Sequence, residues 1–292
     1  MSDGFIVKFD GGDADNHSVD MRLLGESLQG IDRIASDLIV AILNQRTPKK
    51  GERTPFVVKA YEPRPGTLTI PVLIQESAGL LQAGWQIFGP DASDIFSNWF
   101  KAVLSHYSGK QSDSDLALER VCDLAKQQNE ALVRVENNRH EEAFGMQFIL
   151  RRLIERESLA AAQTVAPVGP SVRRLWFFSP KKTDAPILEI TSDDADHIRE
   201  KSAVEWGPLQ KLKLQTDGYV FHNRKLSIVH PLKSGYFSAE VEDPIAQIES
   251  NPYAQAGARK ARILVDAKMG FRSGNLERIV ILNFCGEIDQ VA

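Results

Sequence analysis

The chain has 292 residues, 42% hydrophobic and 25% charged, which places it among globular proteins and away from the charge-rich, apolar-poor sequences that stay disordered. Its 35 Lys and Arg against 39 Asp and Glu leave a formal net charge of -4. The bulk basic excess of a dedicated nucleic-acid binder is therefore missing. A chain of this length exceeds the usual single domain, so at least two structural parts are expected.

The opening residues 1–9 hold no basic stretch followed by an apolar one, so the cytoplasm is the expected compartment. The run Phe5-Ile6-Val7-Lys8-Phe9 is rich in strand formers and ends in the turn Asp10-Gly11-Gly12-Asp13. From Val19 to Leu43 apolar residues recur at three- and four-residue steps, which predicts a helix of about seven turns capped by Asn16 or Ser18. Next come strand-like Phe56–Tyr61 and Thr67–Ile74 around Pro63-Arg64-Pro65-Gly66, completing a β-α-β-β unit.

Residues 70–89 are the most apolar, yet Gln75, Glu76, Gln82 and Gln86 interrupt them and Pro90 follows. A spanning helix needs about 20 mostly apolar residues, so this stretch reads as a buried helix and membrane association is not expected. Release of residues 73–99 to a lipid surface stays as an alternative. Helices over residues 76–88 and 91–107 bring Trp85 and Trp99 into an aromatic core.

Residues 115–164 contain no Pro and a single Gly, and two apolar stripes flank a polar waist at 136–142. They predict an antiparallel helical hairpin, or one long helix, whose remaining apolar face offers an oligomerisation surface. Pro167-Val168-Gly169-Pro170 reads as a linker. Beyond it, Leu175–Phe178 and Ile187–Thr191 are strand-like, and Ser192 opens a short helix. The remaining pattern is three strands, a helix over residues 243–259 and two strands. That is the order of an oligonucleotide/oligosaccharide-binding (OB-like) barrel, with an SH3-like barrel as the alternative. The expected fold class is thus α+β, with domains at 1–110, 111–166 and 171–292.

Catalytic signatures are absent: there is no G-x-S-x-G, S-x-x-K, H-E-x-x-H or Walker A run. Their absence argues against an enzyme without excluding one, because active sites also assemble from distant positions, and no cofactor is expected. Asp10, Asp13, Asp15 and His17 form the best oxygen-rich candidate for a divalent cation and hence for a metal-dependent hydrolase. Their spacing is not that of an EF-hand, since Ser18 and Leu24 occupy the glycine and closing-glutamate positions. Arg173, Arg174, Trp176, Lys181 and Lys182 flank aromatics with cations, the pattern of a single-strand nucleic-acid contact. His222 and His230 flank a strand and are candidates to meet across it. The two cysteines, Cys122 and Cys285, lack zinc-site spacing and read as buried, reduced hydrophobes.

The strand into Asp10-Gly11, then His17-Ser18-Val19 and the helix Leu24-Gly25-Glu26-Ser27-Leu28-Gln29-Gly30-Ile31, resembles a loosely defined group of uncharacterised bacterial proteins, some encoded near anti-phage defence or mobile-element genes. The resemblance implies a bacterial cytoplasmic protein and carries over no catalytic residues. Gly25 and Gly30 each cost a helix about 1 kcal/mol relative to Ala, so another element is expected to pack closely against them. The leading expectation is a non-enzymatic interaction protein that assembles with a protein partner or with itself. Nucleic-acid or nucleotide binding through the C-terminal barrel is the second.

Overall fold

Phe5, Val7 and Phe9 alternate with Lys8 along β1 (Gly4–Asp10), and all three aromatic or branched side chains are buried. A strand with one buried face and both edges available takes a partner on each side. In this computed structural model β1 pairs antiparallel with β3 (Leu68–Glu76) on one edge and β4 (Arg174–Phe178) on the other. β2 (Phe56–Ala60) and β5 (Leu188–Thr191) extend the antiparallel sheet to the order β2-β3-β1-β4-β5. The structure describes residues 4–49, 52, 56–60, 68–76, 92–132, 141–179, 184–248, 250–272 and 274–288. Trp85, Lys181, Lys182, the turn at 63–66 and most of the expected helix at 76–88 lie outside them.

Six helices pack in the same unit: α1 (Met21–Asn44), α2 (Ala92–Tyr107), α3 (Gln111–Leu132), α4 (Glu141–Ile154), α5 (Ser158–Thr164) and α6 (Ser192–Ser202). The core they share with β1 and β4 is dominated by Phe100, whose ring lies 4.7 Å from Phe5 and stacks 5.0 Å from Phe177. Trp99 is fully buried as expected, and its indole N–H donates to the Ile34 carbonyl at 3.0 Å, so the polar tip is satisfied inside the core. α3 and α4 form the expected hairpin, with Arg151 near the end of α4 reaching Asp115 near the start of α3. Residues 133–140, most of the polar waist, lie outside the described residues.

α1 is capped by Asp20, which accepts from the amides of Arg22 and Leu23, rather than by Asn16 or Ser18. Its crossing with α5 has almost no room. A Cβ on Gly30 would lie 2.5 Å from both the Ala160 carbonyl oxygen and the Thr164 amide nitrogen, and neighbouring Ser27 donates to the Thr164 carbonyl at 2.6 Å. Gly25 is different from expectation: a Cβ there would meet nothing within 4 Å. The two glycines carry the same helix penalty, but the packing reason belongs to Gly30 alone.

The Pro167–Pro170 stretch is a fastened turn. The amide of Gly169 donates to Val172, and the amides of Ser171 and Val172 donate to Pro167. The Arg199 guanidinium donates to the carbonyls of Val165, Ala166 and Val168. Because β4 then pairs with β1, residues 171–202 belong to the first unit, and the compact units divide as Met1–Ser202 and Ala203–Ala292.

The second unit contains β7 (Gln210–Val220), β8 (Lys225–Val229), β9 (Tyr236–Val241), β10 (Arg262–Arg272) and β11 (Asn275–Ile288), with α7 (Pro252–Arg259) between β9 and β10. Hydrogen bonding runs β7-β8-β9-β11-β10 and back to β7, so the sheet closes on itself. β9 and β11 are parallel and the other barrel pairs antiparallel. The protein is therefore mixed α+β, with seven α-helices among the described residues and a closed five-stranded barrel carrying one of them. No helix among the described residues is long and apolar enough to cross a membrane.

Glu157, at the start of α5, is fully buried. Burial pushes its carboxyl well above the usual carboxylate range, and the nearby Asp37 carboxylate pushes the same way, opposed by Arg33 and Arg156. A raised acid binds its proton more tightly folded than unfolded, so its contribution is fully present below about pH 4, the unfolded value, and is lost as pH rises above it. Glu157→Gln is expected to raise the melting temperature at pH 8 with little change at pH 4; equal losses at both would contradict this origin. At the helix crossing, Gly30→Ala is expected to cost about 1–3 kcal/mol by overpacking, whereas Gly25→Ala gains up to about 1 kcal/mol. Parallel thermal melts compare the two, and equal shifts would refute the assignment.

Candidate nucleic-acid interface

Alternation along the barrel strands separates an inner from an outer face. Leu226 and Ile228 on β8, and Ala239 and Val241 on β9, are buried inside. Their neighbours face outward in register as the cross-strand pairs Lys225 with Glu240, Ser227 with Ser238, and Val229 with Tyr236. The centre of this face is thus two small hydroxyl side chains, and the Tyr236 ring stands beside them with 67% of its surface exposed.

Farther along β9, Arg278 of β11 reaches the Glu240 carboxylate at 2.7 Å and lies 5.9 Å from the ring centre of Trp206. Trp206 belongs to the two-residue strand β6 (Glu205–Trp206), added to the edge of β10, and is 46% exposed. Residue 270 is glycine, which makes room for it: a Cβ would come within 3.1 Å of the indole ring and 2.6 Å of Val204. Lys233, in the turn between β8 and β9, donates to Asn275 at the start of β11. Lys225 makes no ion pair with a described residue.

The opposite end of β8 holds a separate cleft of about 690 Å³ lined by Phe221, His222, Arg224, Ala246, Gln247 and Ile248. It forms where the 3-10 turn Phe221–Asn223 faces a second one, Pro244–Gln247, after β9. Arg224 sits in the left-handed region at φ 50°, which turns the chain sharply into β8.

Behind the cleft, the barrel end is closed by α7. Its Gly257 lies against the bulge at Gly218 of β7, where a Cβ would stand 3.0 Å from the Gly218 carbonyl carbon. Buried Asp243 accepts from the Tyr253 hydroxyl at 2.7 Å, the Phe284 amide at 2.8 Å and the Ile245 amide at 3.0 Å, tying α7 and β11 to the turn. Burial, reinforced by Asp243, raises the Tyr253 phenol well above its ordinary value, so it remains a donor.

The residues singled out from sequence fall elsewhere. Arg173, Arg174 and Trp176 lie in the first unit, not in the barrel. Trp176 is half-buried, with the Lys8 ammonium 4.4 Å from its ring centre, and Arg174 pairs with Glu189. Asp10, Asp13, Asp15 and His17 do not converge, and no group of three or more His, Cys, Asp or Glu among the described residues is placed to hold a metal. Asp13 instead accepts from the Ser171 hydroxyl at 2.6 Å and ties the end of the Pro167 turn to the 3-10 turn that follows β1. His222 and His230 sit at opposite ends of β8. Cys122 is buried as expected, but Cys285 is exposed, with Lys211 3.4 Å from its sulfur.

Counted from β7, the strand order 1-2-3-5-4, the parallel contact of the third strand with the fifth and the helix between the third and fourth define an oligonucleotide/oligosaccharide-binding-type barrel, and not an SH3-like one. Residues 5–199 match DUF7946, a domain of unknown function, and the chain belongs to that family. Residues 208–285 match a second family of unknown function, DUF7947. No curated protein and no solved structure matches the chain.

Proposed function

We propose that the chain is a non-enzymatic binding protein whose barrel takes a single-stranded nucleic acid across the outer face of β8, β9 and β11. The observation that carries the reading is two exposed rings on the barrel, Tyr236 next to the small Ser227–Ser238 centre and Trp206 beside Arg278. Bases stack on exposed aromatics at about 1–3 kcal/mol each without needing sequence-specific contacts, and small side chains between the platforms let a strand lie close to the sheet. The barrel's near balance of charge favours stacking over phosphate neutralisation. With Lys225 and Lys233 as phosphate contacts, log K is expected to fall with log salt at a slope of roughly -1.4. The bacterial, cytoplasmic and defence-related setting implied by the resemblance of the first helix is part of this reading.

Fluorescence anisotropy of a labelled oligothymidylate with the full chain at low salt tests it. Tyr236→Ala and Trp206→Ala are each expected to weaken binding about fivefold or more, while Trp176→Ala leaves it unchanged. No binding at low salt would dismiss the reading.

Self-association through the helical hairpin is a second reading, favoured by two large apolar side chains left exposed on it, Leu116 of α3 and Phe148 of α4. Light scattering is expected to give a mass above one chain that returns to the monomer on Phe148→Glu. A monomeric parent protein would end that reading.

A further inference from the structure

The cleft between the two 3-10 turns differs in kind from the open face of the strands. Its lining combines an aromatic ring 60% exposed, Phe221, with aliphatic Ile248 and Ala246, the amide of Gln247, and the cationic or proton-accepting side chains of Arg224 and His222. No carboxylate is among these residues, in a barrel whose charges otherwise nearly cancel, and Arg224 makes no ion pair with a described residue. Its volume, about 690 Å³, lies within the range of small-ligand sites.

An exposed aromatic ring beside a guanidinium that makes no ion pair with a described residue fits a planar heterocycle joined to an anionic group. Phe221 and Ile248 would hold the ring, the Gln247 amide would meet its edge, and Arg224 and His222 would meet the anion. The cleft lies where β8 begins and β9 has ended, at the limit of the strand face. A nucleic-acid strand running along β8 and β9 from Tyr236 would reach the cleft with one end.

We propose that this cleft binds a terminal nucleotide through its base and a terminal phosphate, so that the barrel recognises the phosphorylated end of a single strand. The proposal rests on the reading of the strand face as a single-strand site and adds end recognition to it. The shared ligand chemistry is a nucleoside monophosphate, either at a strand end or free.

The test compares oligothymidylates of one length bearing a 5′-phosphate, a 3′-phosphate or neither, and free thymidine monophosphate, on the full chain and on Phe221→Ala and Arg224→Ala. These side chains are exposed, and unchanged melting temperatures verify that the variants fold. A phosphate at one end is expected to tighten binding about tenfold; Arg224→Ala is expected to erase that gain while binding the unphosphorylated strand like the parent, and Phe221→Ala, which removes the ring under the base, to erase the gain and to weaken the unphosphorylated strand as well. Equal affinity for all three strands, or a gain that survives in both variants, would overturn end recognition and leave the strand reading intact. Saturable binding of the free nucleotide, lost in the variants, with no binding of any strand would support the cleft's ligand class and overturn the strand reading. No binding of any probe would overturn both.

Discussion

β10 is hydrogen-bonded along both edges, to β7 on one side and to β11 on the other, and that double pairing turns the strands of the second unit into a barrel. Without it β7 and β11 would each present a row of unpaired amides and carbonyls, the usual template for aggregation. Closure fixes which residues point inward, and so which are left outside. Ile263, Val265 and Ala267 of β10 fill the interior with Leu226, Ile228 and Ala239, while Tyr236, Ser238 and Arg278 stand out. The candidate interface is the complement of the core: a one-residue slip of β9 would bury Tyr236 and Ser238 and expel Ala239 and Val241. β1 has the same role in the first unit, paired on both edges between β3 and β4.

Much of this architecture was legible in the sequence because it is written in local period. The β-α-β-β start, the helical hairpin and the order of three strands, helix and two strands all follow from apolar spacing. What local period does not carry is partnership. β4 pairs with β1 across more than 160 residues, as in Ile6 with Phe178, and nothing in Leu175–Phe178 distinguishes that pairing from one to the strands that follow. The Pro167–Pro170 stretch has a linker's composition, yet the distant Arg199 and Asp13 fasten it. Gly25 and Gly30 look alike along the chain, and only the approach of α5 separates them.

The candidate site was hidden for a related reason. Sequence reasoning favours dense clusters such as Asp10–His17 and Arg173–Lys182, and these follow the demands of turns and strand ends. Trp206 and Arg278 are more than 70 residues apart and meet only through the barrel's register, and Tyr236 reaches the same sheet from a third strand. The available signal was weak but present: Tyr236 stands in the outward phase of a strand whose inward phase is Ala239 and Val241.

The account stands on the barrel's outer face being the surface that meets a strand of nucleic acid. Hydrogen–deuterium exchange of the full chain with and without a saturating oligothymidylate tests this most directly, because it reads every segment at once. The account predicts slowed exchange over β8, β9 and the turn joining them, with β1 and β4 unchanged. Slowed exchange confined to β1 and β4, or none in the barrel at saturation, would contradict it.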